Sequence, residues 1–159
     1  MKRLIITFCI FATLLFTGCR LNYMSSLYSK DNKISSDTNS FSLNKEEQSM
    51  DDQEYIGKLE FEGMDTIWKY NAENDMKIKL SYLLSVNKGK AKLVLIDPTG
   101  KVETLIENKD SNTQKNIETI MISLKKGKNR IKLVASNKAQ IELKLNVNVG
   151  DLNKIGFDR

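Results

Sequence analysis

Met76-Lys77-Ile78-Lys79-Leu80-Ser81-Tyr82-Leu83-Leu84-Ser85-Val86 alternates with a period of two. Met76, Ile78, Leu80, Tyr82, Leu84 and Val86 fall on one side, and Lys77, Lys79, Ser81 and Ser85 on the other. Successive side chains of an extended strand point to opposite faces, so this is the pattern of a strand with one face on a core and one in water. The same signal repeats on both sides of it. Asn87-Lys88-Gly89-Lys90 interrupts with turn residues, Gly89 being free to take positive φ, and residues 91–96 form the next strand. Asp97-Pro98-Thr99-Gly100 is a type I turn signal, in which Asp97 accepts backbone donors, Pro98 presets φ and Gly100 relieves the exit. Val102, Thr104 and Ile106 continue on one face, so residues 91–107 are predicted to be a hairpin.

Beyond a polar loop at 108–116, strands are predicted at 117–124 and 130–135, joined by a turn at 125–129. The last is long: Ala139, Ile141, Leu143, Leu145, Val147 and Val149 alternate with Gln140, Glu142, Lys144, Asn146 and Asn148. Weaker strands at 56–62 and 64–70 bring the total to about eight, with no helical run between them. The expected fold is all-β: an antiparallel β-sandwich, jelly-roll or immunoglobulin-like, with a single core. The Asp97-Pro98-Thr99-Gly100 turn between paired strands and the later stretch Leu124-Lys125-Lys126-Gly127-Lys128-Asn129-Arg130-Ile131-Lys132-Leu133 resemble jelly-roll accessory modules appended to secreted bacterial proteins. That resemblance implies the sandwich and transfers no site.

The N-terminus has a different character. Met1-Lys2-Arg3 leads into an apolar run at 4–16 and then Thr17-Gly18-Cys19-Arg20. Two cations favour the cytoplasmic side, and the run suits the hydrophobic region of an export signal. At about 1.5 Å per residue it covers roughly 20 Å, too little for a hydrocarbon core of about 30 Å. The stretch Leu15-Phe16-Thr17-Gly18-Cys19 resembles a bacterial lipoprotein signal, although Phe16 stands where that family usually has Leu, Val or Ile. The resemblance implies cleavage before Cys19, diacylglycerol on its sulfur, and a lipid anchor on the extracytoplasmic face of the cell membrane. One acyl chain binds a bilayer only marginally, and two make the attachment stable. With Cys9 removed and Cys19 blocked, the mature chain holds no thiol for a disulfide, a metal or a nucleophile.

Residues 20–52 contain eight serines and four asparagines, with isolated apolar residues such as Leu27, Ile34 and Phe41 in no sustained period. They read as a disordered tether with a root-mean-square span of roughly 30 Å. The expected organisation is a signal peptide at 1–18, lipidated Cys19 and tether at 19–52, a β-sandwich at 53–150 and a tail at 151–159.

Chemistry is bounded mainly by what the composition lacks. The chain has no histidine, which removes Ser-His-Asp and Cys-His nucleophile systems and histidine-ligated zinc. Asp65, Glu73, Asp75 and Asp97 could pair as glycosidase acids, but a small sandwich with short loops offers little cleft, and no EF-hand spacing is present. They read as turn and cap carboxylates. No enzyme activity, metal or cofactor is expected. The net charge of +5 is mild and spread out, and no recognition-helix or RNA-binding signature accompanies it, so nucleic acid is not an expected partner. The basic cluster at 125–130 is split by Gly127 and Asn129 in the manner of a turn. Trp68 and Tyr70 share a face if their strand alternates; sandwich cores commonly contain a Trp, so core packing is the first reading, and a protein contact or a ligand-binding platform, on which such a pair could stack a sugar ring, are the alternatives. Tyr82, Phe61 and Leu59 read as core. The expected function is therefore a membrane-anchored, non-catalytic interaction domain that meets another envelope protein. The alternative is a carbohydrate-binding module for cell-wall or exogenous polysaccharide.

Overall fold

Among the described residues seven strands carry the fold: β1 (Ser40–Met50), β2 (Glu54–Ala72), β3 (Met76–Ile96), β4 (Val102–Lys109), β5 (Glu118–Leu124), β6 (Gly127–Val147) and β7 (Asp151–Leu152). The computed structural model describes residues 23–111 and 113–157. The strands pair antiparallel in the order β1-β2-β6-β3-β4, with β5 beside β3 and β7 beside β2. The chain is all-β and sandwich-like, and the sandwich comes from one sheet bent over on itself.

The bend explains why three strands are so long. β2, β3 and β6 run for 19, 21 and 21 residues, against about 5–6 for an ordinary strand. Each carries left-handed backbone near its middle: Gly63 (φ 108°) in β2, Gly89 (φ 76°) in β3, and Asn137 and Lys138 (φ 63° and 47°) in β6. The register slips at the same places, between Phe61 and Gly63 and between Val86, Lys88 and Lys90. Because β6 lies between β2 and β3, the three irregularities sit side by side and form one corner across the sheet. Six of the eight expected strands thus merge in pairs into three, and the predicted turn at 87–90 is a corner within one strand. The Asp97–Gly100 turn is a true reversal, closed by Gly100 N–H donating to the Asp97 carbonyl at 3.0 Å.

Inward residues of both halves share one core. Leu59, Phe61, Leu80, Tyr82, Leu84, Val86, Ile141, Leu143 and Leu145 come from the first half, and Trp68, Leu93, Leu95, Ile131 and Leu133 from the second. The alternation predicted for 139–147 is present, as are the core positions of Leu59, Phe61 and Tyr82. At Leu84, β3 changes neighbour from β5 to β4, and side chains replace the missing strand. Gln114 Oε1 accepts from the Leu84 N–H at 3.1 Å, and the Asn108 amide donates to the Leu84 carbonyl.

Two expectations about the ends are corrected. The part of the expected tether that is described belongs to the fold: residues 40–50 are edge strand β1, and a 3-10 turn (Leu27–Ser29) and a helical turn (Asp31–Ile34) cross the outer face of the second half. Leu27, Tyr28 and Ile34 are buried there against Met64, Val94, Ile96 and Val134. This is why residues 91–96 and 129–136 are buried on both faces instead of alternating. The C-terminal segment is also part of the fold. Leu152 and Ile155 are buried, the Asn153 N–H donates to the Ile67 carbonyl at 2.8 Å, and Gln48 exchanges two hydrogen bonds with the Ile155 backbone.

Candidate functional site

Trp68 is fully buried, and its indole N–H donates to the Val149 carbonyl at 2.7 Å. Tyr70 does lie beside it, with ring centroids 6.1 Å apart, and is half-buried. The two rings share a face as expected, but that face is the core side. A bulge between Thr66 and Trp68 brings Ile67 and Trp68 both inward, and β7 pairs Leu152 with Trp68. The pair therefore offers no exposed platform to a sugar, which agrees with core packing for Trp68 and corrects the alternative of Trp68 and Tyr70 as ligand-binding residues.

Three of the acidic candidates are engaged by backbone N–H groups, local ones for Asp97, a local and a distant one for Asp65, and a distant one for Asp75. Asp97 Oδ1 accepts from the Thr99 N–H (2.8 Å), the Thr99 hydroxyl (2.7 Å) and the Lys101 N–H (3.0 Å). Burial works to raise its carboxyl, but these bonds outweigh it and hold the group below its ordinary value. Asp75 accepts from the Lys126 N–H at 2.8 Å and pairs with the Lys125 ammonium at 2.9 Å, and both hold its carboxyl low. Asp65 is buried and accepts from the Thr66 and Gly156 N–H groups, each at 2.7 Å. Glu73 is exposed. These are cap and turn roles, and they tie the acids to the scaffold. Among the described residues no group of three or more Cys, Asp or Glu is placed to hold a metal ion. No helix among them is long and apolar enough to cross a membrane. Cys19 lies outside the described residues.

The polar cluster that sequence reading missed lies where the N-terminal segment crosses β6. Lys132 is fully buried, and its ammonium donates to the carbonyls of Ser36 (2.8 Å) and Thr38 (2.9 Å). Arg130 donates to the carbonyls of Ser35 (2.7 Å) and Ser36 (2.9 Å) and pairs with Asp37. Burial, helped by the neighbouring Arg130 charge, pushes the Lys132 amine down to about 8. The Arg130 guanidinium beside Asp37 holds that carboxyl below its usual range. The cluster works as a latch, because two cations satisfy carbonyls of a segment that has no strand partner there. The Lys-Leu alternation at 132–133 gave no hint of it, since a lysine on an alternating strand normally faces water.

Two surface features are left. An open groove over the first half carries the carboxylates of Glu46, Glu47, Glu60 and Glu142 and the ammonium groups of Lys45 and Lys58 beside apolar Leu59 and Ile141. The corner itself carries exposed Lys88 and Lys138, with Lys90 and Lys109 paired across β3 and β4 next to it. Lys90 and Lys92 set their ammonium groups 4.2 and 4.9 Å from the Tyr28 ring centre, a cation–π arrangement that helps seat Tyr28. The Tyr28 hydroxyl donates to Glu107 at 2.8 Å. Its burial, then that bond and the carboxylate charge, push the phenol well above its ordinary range. The chain matches no protein-family model and no curated protein.

Proposed function

We propose that this chain is a bacterial lipoprotein that displays a non-catalytic β-sandwich interaction domain on the extracytoplasmic face of the cell envelope, where it contacts another envelope protein. The observation that carries the reading is the order Lys2-Arg3, apolar run, Gly18-Cys19 at the start of the chain. A sulfur bearing two acyl chains supplies the membrane affinity that the domain itself does not need to have. The non-catalytic part of the reading is supported by the absence of histidine from the sequence and by the engagement of Asp65, Asp75 and Asp97 in backbone caps. The polysaccharide alternative has lost its platform with the burial of Trp68. The test is labelling of cells with radioactive palmitate, followed by detergent phase partitioning. The wild-type chain is expected to carry label and enter the detergent phase, and Cys19→Ala to do neither; equal partitioning of both without label contradicts the proposal.

A further inference from the structure

The first described residues lie at the corner of the bent sheet. The Ser25 hydroxyl donates to Glu62 and accepts from the Asn137 N–H at 3.2 Å, and Glu62 and Asn137 flank the bends of β2 and β6. Only residues 20–24 separate Cys19 from Ser25. Even fully extended, the six steps from Cys19 to Ser25 reach roughly 20 Å, against the roughly 110 Å that a 33-residue tether would allow. A lipid on Cys19 therefore keeps this corner within roughly 20 Å of the bilayer surface and leaves the domain free to tilt about it.

The charge at the corner suits that neighbour. Lys88, Lys138 and Lys109 are exposed, and Lys90 is half-buried over the Tyr28 ring. Four carboxylates lie nearby, among them Glu60, in the cross-strand row of Gln140 and Lys88. Glu62 is buried and engaged with Ser25 and the Asn137 N–H. Asp110 accepts from the Gly89 N–H at 2.5 Å, and Glu107 is held by Tyr28 and lies 3.9 Å from Lys109. Lys88 and Lys138, at the tip of the corner, form no ion pair with any carboxylate among the described residues. Lysines within a Debye length of an anionic leaflet are attracted to it, and tethering raises their local concentration so that a weak attraction is enough to orient the domain.

We infer that the lysine-bearing corner formed by Lys88 and Lys138, with Lys109 beside them, docks on anionic lipid headgroups beside the anchor, which orients the Asp97–Gly100 turn at the other end of the second half away from the membrane. This inference rests on the lipoprotein reading. Its test installs the anchor chemically, so that it does not depend on lipidation by the host. The mature chain from Cys19 onward is coupled through that thiol to a maleimide lipid in nanodiscs, one third phosphatidylglycerol, doped with a gadolinium-chelating lipid, and amide signal loss is read by NMR. Signals of residues 87–90 and 137–138 are expected to lose at least twofold more intensity than those of 97–100. The contrast is expected to collapse in purely phosphatidylcholine discs and in Lys88→Gln/Lys138→Gln, whose unchanged amide spectrum elsewhere reports an intact fold. Equal loss at both ends in anionic discs, or a contrast indifferent to lipid charge and to the two substitutions, overturns the docking. A chain whose Cys19 carries no palmitate in cells removes the lipoprotein reading and this inference with it.

Discussion

Lys132 donates from its buried ammonium to the Thr38 carbonyl at 2.9 Å, so that a cation from the middle of the sheet holds a segment 94 residues away in sequence. The same group also serves the Ser36 carbonyl. Removing it takes the donor from the Thr38 carbonyl and leaves the Ser36 carbonyl to Arg130 alone.

Stability is expected to report this directly. The Lys132 amine sits at about 8 in the folded chain and near 10.4 when unfolded. Between those values the unfolded state binds the extra proton, so the contribution of Lys132 rises with pH from about 8 to about 10.4 and is flat below. Relative to Lys132→Met, the wild-type chain is expected to gain on the order of 2–3 kcal/mol across that window. The difference cancels the tyrosines, which titrate alike in both chains. Urea unfolding of both at pH 7.5 and 10 measures it, and a difference that stays constant or falls with pH contradicts the assignment.

The corner depends on glycine where the backbone is left-handed and crowded. A Cβ on Gly89 would lie 2.6 Å from the Ser136 carbonyl oxygen, and one on Gly63 2.2 Å from that of Ser40. Gly100 has a similar φ of +85°, but its nearest neighbour is 3.9 Å away. Gly89→Ala and Gly63→Ala are each expected to cost about 3 kcal/mol or more, and Gly100→Ala only about 1 kcal/mol, the conformational part alone. Equal costs at all three positions, measured by thermal melting, would mean that the strands do not approach as described.

Trp68 is the sole tryptophan, which makes its burial easy to read. Its emission is expected to be blue-shifted and nearly insensitive to iodide in the native chain, and to redshift with full quenching in denaturant. Trp68→Ala is expected to cost about 3–5 kcal/mol through cavity formation. A native indole quenched as readily as the free amino acid would return Trp68 to the surface.

The N-terminal segment is expected to behave as core. Leu27→Ala removes a fully buried side chain from the second cluster and is expected to destabilise by about 2–4 kcal/mol. Native wild-type protein is expected to resist proteolysis within residues 24–38, and the variant to be cut there first. Rapid cleavage of the native wild type at the same sites would instead favour a loose tether.

The strand alternation and the Asp97–Gly100 reversal were legible because both are local: a period of two and a Pro-Thr-Gly turn need no knowledge of neighbours. The corner was only half legible. Gly63, Gly89 and Asn137 announce unusual backbone, but a reversal and a bend use the same residues, and only the continued pairing of β6 with both neighbours separates them. Residues 24–38 were illegible because Leu27, Tyr28 and Ile34 are anchored at irregular intervals by turns, so no period exists to detect. Phe41 and Leu43 did alternate in β1, but the bulge between Asn44 and Glu46 cuts the run short. For Trp68, the sequence placed it on the same face as Tyr70 without saying which side that face was. The strand β7 that covers it, Asp151–Leu152, is two residues long and has no pattern of its own.

The lipoprotein proposal stands or falls on one sulfur. Intact and peptide mass spectrometry of the mature protein extracted from its envelope is expected to find Cys19 as the first residue, with diacylglycerol on its sulfur; a free thiol at that position, or a polypeptide that starts anywhere else, overturns the proposal.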